Sequence, residues 1–511
     1  MQSMSVLVAA LFALVGPSGG WEFVERSTVS PGPAICCEIA CAPSGVVHVA
    51  YQDQSIGTDP ATVVQWTGAA WELVGPRGGA SIRQAWYDQL AFDGGGAPLL
   101  ACRDYGIGGR LGVRRMDVAS GIWRDVGAIG PSPGEAHYTD IATARDGSTY
   151  VVFADRTTTP IDRATVMRFS GGVWSLVGAP GISAAEAQYA TIALDANDVP
   201  TIAFADRSHP DGSQIGRVSV MRYDGAAQAW SFVGPPGFTP TGGLNARLAF
   251  DRSGAPCLVY QEYHIALRVM RFDGAQWNAI GGSASGTDRP TVETEGWRQW
   301  LSLAFDSQNA PYVAYELLDL GRRASVRRFD GAQWSLVGAP GFTPPNADYL
   351  AMTVDAFDVP WIVFRDWSDG NRAAVMRYAP SPTSYCTASI DHLGCAPHIA
   401  TRTGTIFAAG ALNQGTGALF YGLRPGRVPF EGGVLCIAPR FHAIKLVRPE
   451  GSAAGFDCTG TLAFDFDAWV QSGADPTLVP GTTVFAQFWY RDPFLPAGAG
   501  LTDAIRFTIG L

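Results

Sequence analysis

The side chains best suited to chemistry by type and spacing are five aromatics that recur at equivalent places of a repeating chain: Tyr87, Tyr138, Tyr189, Trp300 and Tyr349. An aromatic ring facing water is a platform for the apolar face of a sugar, and a tyrosine hydroxyl adds a hydrogen bond that orients it. Cys36 and Asn245 occupy the two remaining equivalent places. The competing assignment is that these rings only seal the core between neighbouring sheets. A second series is acidic: Asp53, Asp104, Asp155, Asp206, Glu262 and Asp366. Arg110, Arg163, Arg217 and Arg372 fall across the hairpin from Asp104, Asp155, Asp206 and Asp366. Such a cross-strand ion pair is structural, worth about 0–1 kcal/mol when exposed. Pro60 and Ala266 stand opposite Asp53 and Glu262, so these two acids are the ones expected to be available to a ligand.

Motifs for catalysis are missing. The seven His form no metal-ligand spacing, and the chain has no G-x-S-x-G, P-loop or dinucleotide fingerprint. The expectation is no metal and no cofactor. A pair of carboxylates brought together by distant loops needs no local motif, however.

The elements that position these residues come in copies. The Trp of a Trp-x-x-Val-Gly motif recurs at Trp71, Trp123, Trp174, Trp230, Trp277 and Trp334, at intervals of 47 to 57 residues. A period near 50 without helical patterning describes four-stranded blades of a β-propeller. In each unit a small-residue strand such as Ile192-Ala-Leu-Asp195 comes first and a Pro-led strand such as Thr201-Ile-Ala-Phe204 second. A Val-x-Arg-aromatic strand is third, and the Trp opens the fourth. Asp with Gly, Asn or Pro joins the first two strands, and Asp224-Gly225, Asp273-Gly274 and Asp330-Gly331 join the last two; both are hairpin signals. The acids in these turns are therefore turn formers.

The first three strands occur seven times, but only six sets are followed by a Trp strand. The missing one is Trp21-Glu-Phe-Val24, at the other end of the chain. The expected architecture is all-β: a seven-bladed β-propeller closed by the N-terminal strand, followed by a small C-terminal β-sandwich. Closure removes the exposed edges that an open sheet presents. The connections between second and third strands and between blades are long and polar, so a site is expected on the face they share.

Composition agrees with this class. Of 511 residues 61 are Gly and 34 Pro, and only 16% are charged. A formal net charge of −10 argues against nucleic acid, which demands a basic footprint. The apolar run from Ser5 to Gly16, followed by Pro17-Ser-Gly-Gly20, has the length of a signal peptide and is too short to span a bilayer. The domains expected are a signal over 1–20, the propeller over 21–380, a linker over 381–384 and the sandwich over 385–511. After signal cleavage no membrane insertion is expected, and the chain is expected to be a monomer. Four Cys in the last quarter (Cys386, Cys395, Cys436, Cys458) form a candidate disulfide framework, with three possible connectivities. Cys36, Cys37, Cys41, Cys102 and Cys257 lie on apolar strand patterns and are expected to be small core residues.

The unit from Val177 to Tyr189, with the strands that follow, resembles the propeller repeats of secreted bacterial proteins likened to fucose-specific lectins. This resemblance implies a propeller over 21–380 and recognition of a glycan. The segment from Tyr385 to Cys395, with Leu419–Gly422, Gly432–Cys436, Phe488–Pro493 and Leu501–Ile509, looks like a C-terminal domain of secreted proteins of environmental bacteria, implying anchoring or sorting at the cell surface. Such domains carry a Cys near their end. Here Gly510-Leu511 stands there, which would leave one of the four cysteines unpaired.

These readings converge on an exported, secreted or cell-surface recognition protein without catalysis, binding glycan or an extracellular protein. Two alternatives stand beside it: a carbohydrate-active enzyme, hydrolase or lyase, with its site at the central mouth, and a structural surface component.

Overall fold

The computed structural model describes residues 20–25, 29–67, 70–159, 161–210, 215–262, 266–281, 300–356, 358–379, 383–402, 404–413, 416–445, 451, 456–479 and 482–509. The expected signal lies outside the described residues except for Gly20. Apart from one α-helix of six residues, Phe466–Gln471, and three short 3-10 turns, the described elements are strands. Phe23–Arg377 forms one compact unit and Tyr378–Leu511 belongs to a second.

Seven antiparallel four-stranded sheets follow one another along the chain. Representative is the sheet of Ala187–Leu194, Pro200–Pro210, Gly216–Asp224 and Ala229–Phe232, with strands in sequence order. In the last sheet, Ala347–Val354, Pro360–Asp366 and Arg372–Ala379 are joined at the outer edge by Gly20–Phe23. The first strands of successive sheets are spatial neighbours, and that of the seventh, Ala347–Val354, neighbours that of the first, Ala34–Cys41.

The repeat motif builds the joint between sheets. Each Trp indole N–H donates to a carbonyl of the preceding sheet: Trp71 to Val24 (3.1 Å), Trp123 to Val74 (2.7 Å), Trp174 to Val126 (2.6 Å), Trp230 to Val177 (2.8 Å), Trp277 to Val233 (2.7 Å) and Trp334 to Ile280 (3.0 Å). In five of the six the residue after that carbonyl is a Gly lying under the same indole; after Val24 it is Glu25, at φ +50°. A Cβ on Gly178 would sit 2.9 Å from Trp230 Cδ1, and its φ of +79° disfavours any other residue. The motif thus combines a hydrogen bond of about 1 kcal/mol net with the burial of an aromatic ring.

A second lattice ties the turns. Asp195 Oδ1 accepts from the amides of Asn197 (2.8 Å) and Val199 (2.9 Å) while Oδ2 accepts from Arg222 (2.6 Å). Asp251 with Arg271 and Asp306 with Arg328 repeat this at 2.7 Å each. The acids of the first turn are turn formers, as their sequence context predicts, and they also hold the inner arginine of the third strand.

In the second unit a five-stranded sheet (Thr383–Tyr385, Ala499–Thr508, Thr483–Arg491, Gly417–Gly422, His442–Lys445) and a three-stranded one (His398–Arg402, Thr405–Ala411, Gly460–Asp465) share one core, with Ile406, Leu419, Tyr421, Phe466, Phe488 and Phe507 fully buried. Disulfides join Cys386 to Cys436 and Cys395 to Cys458. All four cysteines are paired, correcting the expectation that one would be left over. Cys36, Cys37, Cys41, Cys102 and Cys257 are free thiols.

Candidate functional site

The first strands of all seven sheets surround one cavity of about 490 Å³, within the range of small-ligand sites. Its lining includes Tyr87, Tyr138, Tyr189, Trp300 and Tyr349, together with Cys36 and Asn245, so the seven equivalent places meet in one space. Tyr87 and Tyr138 have ring centroids 5.3 Å apart, Tyr138 and Tyr189 5.1 Å, and Trp300 and Tyr349 4.5 Å. The rings form two arcs, interrupted at Asn245 and Cys36.

A backbone irregularity sets these side chains. Cys36, Tyr87, Tyr138, Tyr189, Asn245 and Tyr349 all have φ between +49° and +60°, a region costly for residues other than glycine. At each of the six the register with the second strand shifts across that residue, for example between His137 and Asp140. The bulge leaves the ring residue outside the ladder and re-aims its side chain. A strained conformation kept in six of seven sheets, although the flanking residues differ in every one, is supported by the surrounding joints rather than by local preference.

Burial keeps the phenols protonated: Tyr87, Tyr138 and Tyr189 are raised above the ordinary value, and Tyr349 is pushed up to about 12. Each can therefore donate a hydrogen bond. At the rim, Arg365 lies over both Tyr349 and Trp367, 4.9 Å from each ring, with Asp348 accepting its Nε–H at 2.7 Å.

Two residues beyond six of the seven ring positions lies a polar belt that the sequence reading missed: Glu38, Gln89, Asp140, Thr191, Arg247 and Ser302 line the same cavity, with Ala351 at the seventh place. Asp140 accepts from Thr191 Oγ1 (2.7 Å) and from the amides of Ile192 and Ile141 (both 2.9 Å). Burial lifts Glu38 to about 7, against the pull of Arg247. Charged residues in strands otherwise filled by Ala, Leu and Ile were the signal that could have marked this belt.

The two acids expected to be available are engaged. Asp53 is fully buried and takes both Arg77 Nε (2.6 Å) and Nη2 (3.0 Å). Glu262 is fully buried and pairs with Arg268. Neither lines the cavity. Inspecting only the residue across the hairpin missed Arg77, which comes from the following inter-sheet loop, and Arg268, two residues past Ala266. The register does place Arg110, Arg163 and Arg217 opposite Asp104, Asp155 and Asp206. The carboxylates serve turns instead: Asp155 accepts from Thr157 N (2.9 Å) and Oγ1 (2.7 Å), and Asp104 from Gly106 N (2.7 Å). Arg163 donates to the Ser183 carbonyl. Among the described residues no group of three or more His, Cys, Asp or Glu is placed to hold a metal ion.

No protein-family model and no curated protein sequence matches the chain. Among solved structures it is similar to a protein of unknown function from Dyadobacter fermentans, at 12% identity over 70% of this chain and 98% of that one, with a TM-score of 0.41. It is likewise similar to an ulvan lyase bound to a GlcA(1-4)Rha3S unit, at 13% identity, 70% and 96% coverage and a TM-score of 0.45. A third is the Aleuria aurantia lectin in complex with Fucα1-6GlcNAc, at 15% identity, 61% and 98% coverage and a TM-score of 0.37.

Proposed function

We propose that this chain is an exported glycan-recognition protein without catalysis, a seven-bladed propeller over 21–380 closed by its N-terminal strand and followed by a disulfide-stapled sandwich over 385–511. The observation that carries the reading is that five aromatics from equivalent places meet around one cavity, four of them at positive φ. At the four tyrosines the bulge takes the residue out of the ladder and re-aims its side chain, so ring faces and phenol hydroxyls share one space. Aromatic faces meet the C–H face of a pyranose, and the polar belt beneath supplies donors and acceptors for its hydroxyls. Two disulfides fit an oxidising destination. No helix among the described residues is long and apolar enough to cross a membrane, which says nothing of a β-barrel. In this reading the second unit anchors or sorts the protein at the cell surface.

A second reading, a carbohydrate-active enzyme, draws on Glu38, whose buried carboxyl titrates near 7, the range suited to a general acid or base. One experiment separates the two. The full oxidised chain and its Tyr138→Ala variant are titrated against a panel of oligosaccharides, and every mixture is checked by mass for product. We expect binding without product, weakened on the order of tenfold in the variant by loss of one ring face. Product formation would replace this reading with the enzyme, and a folded sample that binds no saccharide would refute it.

A further inference from the structure

The cavity holds more acid than a neutral saccharide requires. Its charged lining residues among those described are Glu38, Asp88 and Asp140 against the single cation Arg247. Asp140 is occupied by the Thr191 hydroxyl and two amides, and Glu38 accepts from Gln89 at 3.4 Å.

Asp88 is different. Only 2% of it is exposed, and neither carboxylate oxygen has a hydrogen-bond partner. Its charged neighbours, Glu38 and Asp104, are also acids. The corresponding residues in the other sheets are Cys37, Thr139, Ala190, Ala246, Leu301 and Leu350, none of them an acid. An acid where apolar packing would serve, left without a partner, carries a cost that a ligand can offset. Alone it forces Asp88 to keep its proton, and burial does raise its pKa well above the ordinary value.

We propose that the cavity selects saccharides carrying a free amine, the ammonium lodging beside Asp88 and Glu38 and against the aromatic faces. This rests on the glycan reading above and names the ligand class. Three features point to a cation rather than an anion. An anionic sugar would meet one guanidinium while adding a fourth acid to a low-dielectric space, whereas an ammonium supplies the counter-charge with which Asp88 can ionise. Tyrosine and tryptophan faces attract cations and repel anions. The formal charge of −10 draws cationic ligands toward the protein.

The test is calorimetric titration of the full oxidised chain, at low ionic strength, with tetramers of glucosamine, N-acetylglucosamine and galacturonic acid. The first two differ only in the amine. We expect the glucosamine tetramer to bind at least ~10-fold more tightly than its N-acetylated counterpart, as a desolvated cation beside π faces and a carboxylate requires. Asp88→Asn and Glu38→Gln should each reduce that ratio to about threefold or less. If Asp88→Asn does not fold, Glu38→Gln decides alone. Equal binding of the two tetramers, tightest binding of the galacturonic acid tetramer, or a ratio unchanged in both variants would overturn the amine assignment while leaving a glycan site. Binding of none of the three would count against the glycan reading itself.

Discussion

Gly172 and Gly178 flank the strand Val173–Leu176 and share a left-handed backbone, with φ of +88° and +79°. Replacing either by Ala pays the conformational cost of a Cβ at positive φ, about 1–2 kcal/mol. Their surroundings differ. A Cβ at Gly172, in the hairpin turn, meets nothing within 4 Å, whereas one at Gly178 meets Trp230 Cδ1 at 2.9 Å and Nε1 at 3.1 Å. The indole cannot simply retreat, because its N–H is bonded to Val177 O at 2.8 Å, so Gly178→Ala adds an overpacking cost of about 1–3 kcal/mol. Gly172→Ala should therefore cost about 1–2 kcal/mol and Gly178→Ala about 2–5 kcal/mol. Urea unfolding followed by tryptophan fluorescence measures both. In a Trp230→Ala background the extra cost of Gly178→Ala should vanish, a coupling readable from the double-mutant cycle. Equal costs for the two glycines, or an extra cost that survives removal of the indole, would refute the joint as described.

Glu38 gives a pH prediction. Burial raises its pKa from 4.5 to about 7, so the fold prefers the protonated form. The stability tied to that proton is fully present below about pH 4.5, where the unfolded side chain is protonated too, and is lost as pH rises through about 7. Glu38→Gln, which cannot ionise, should be more stable than the parent by up to about 3 kcal/mol near pH 8 and indistinguishable from it near pH 4. Urea midpoints at the two pH values decide, and a gap that does not close on acidification contradicts the assignment. The disulfides close separations of 50 and 63 residues. Each should stabilise its unit by roughly 4 kcal/mol through loop closure. Reduction should therefore lower the unfolding transition reported from Trp469 and Trp489, and an unchanged transition would contradict it.

Sequence alone determined the all-β class and its repeated four-stranded sheets because their determinants are local and repeated. Each Trp-x-x-Val-Gly copy encodes a strand, a left-handed glycine and an indole, and counting copies shows that the seventh outer strand is missing from one end and available at the other. Trp21-Glu-Phe-Val24 is where Gly20–Phe23 joins the sheet of Arg372–Ala379. The aromatic ring was legible for the same reason, since Tyr87, Tyr138 and Tyr189 recur in phase.

Partners were not legible, because partnership depends on what approaches from a neighbouring sheet. Asp53 reads as unpaired across its hairpin, yet Arg77 reaches it from 24 residues on. The polar belt was hidden by the opposite feature. Glu38, Asp140 and Arg247 are unlike one another and break the repeat, so only the convergence of seven first strands on one cavity shows that they act together. A period in sequence specifies the frame that every unit shares; what differs between units becomes a site only where folding brings the differences into one space.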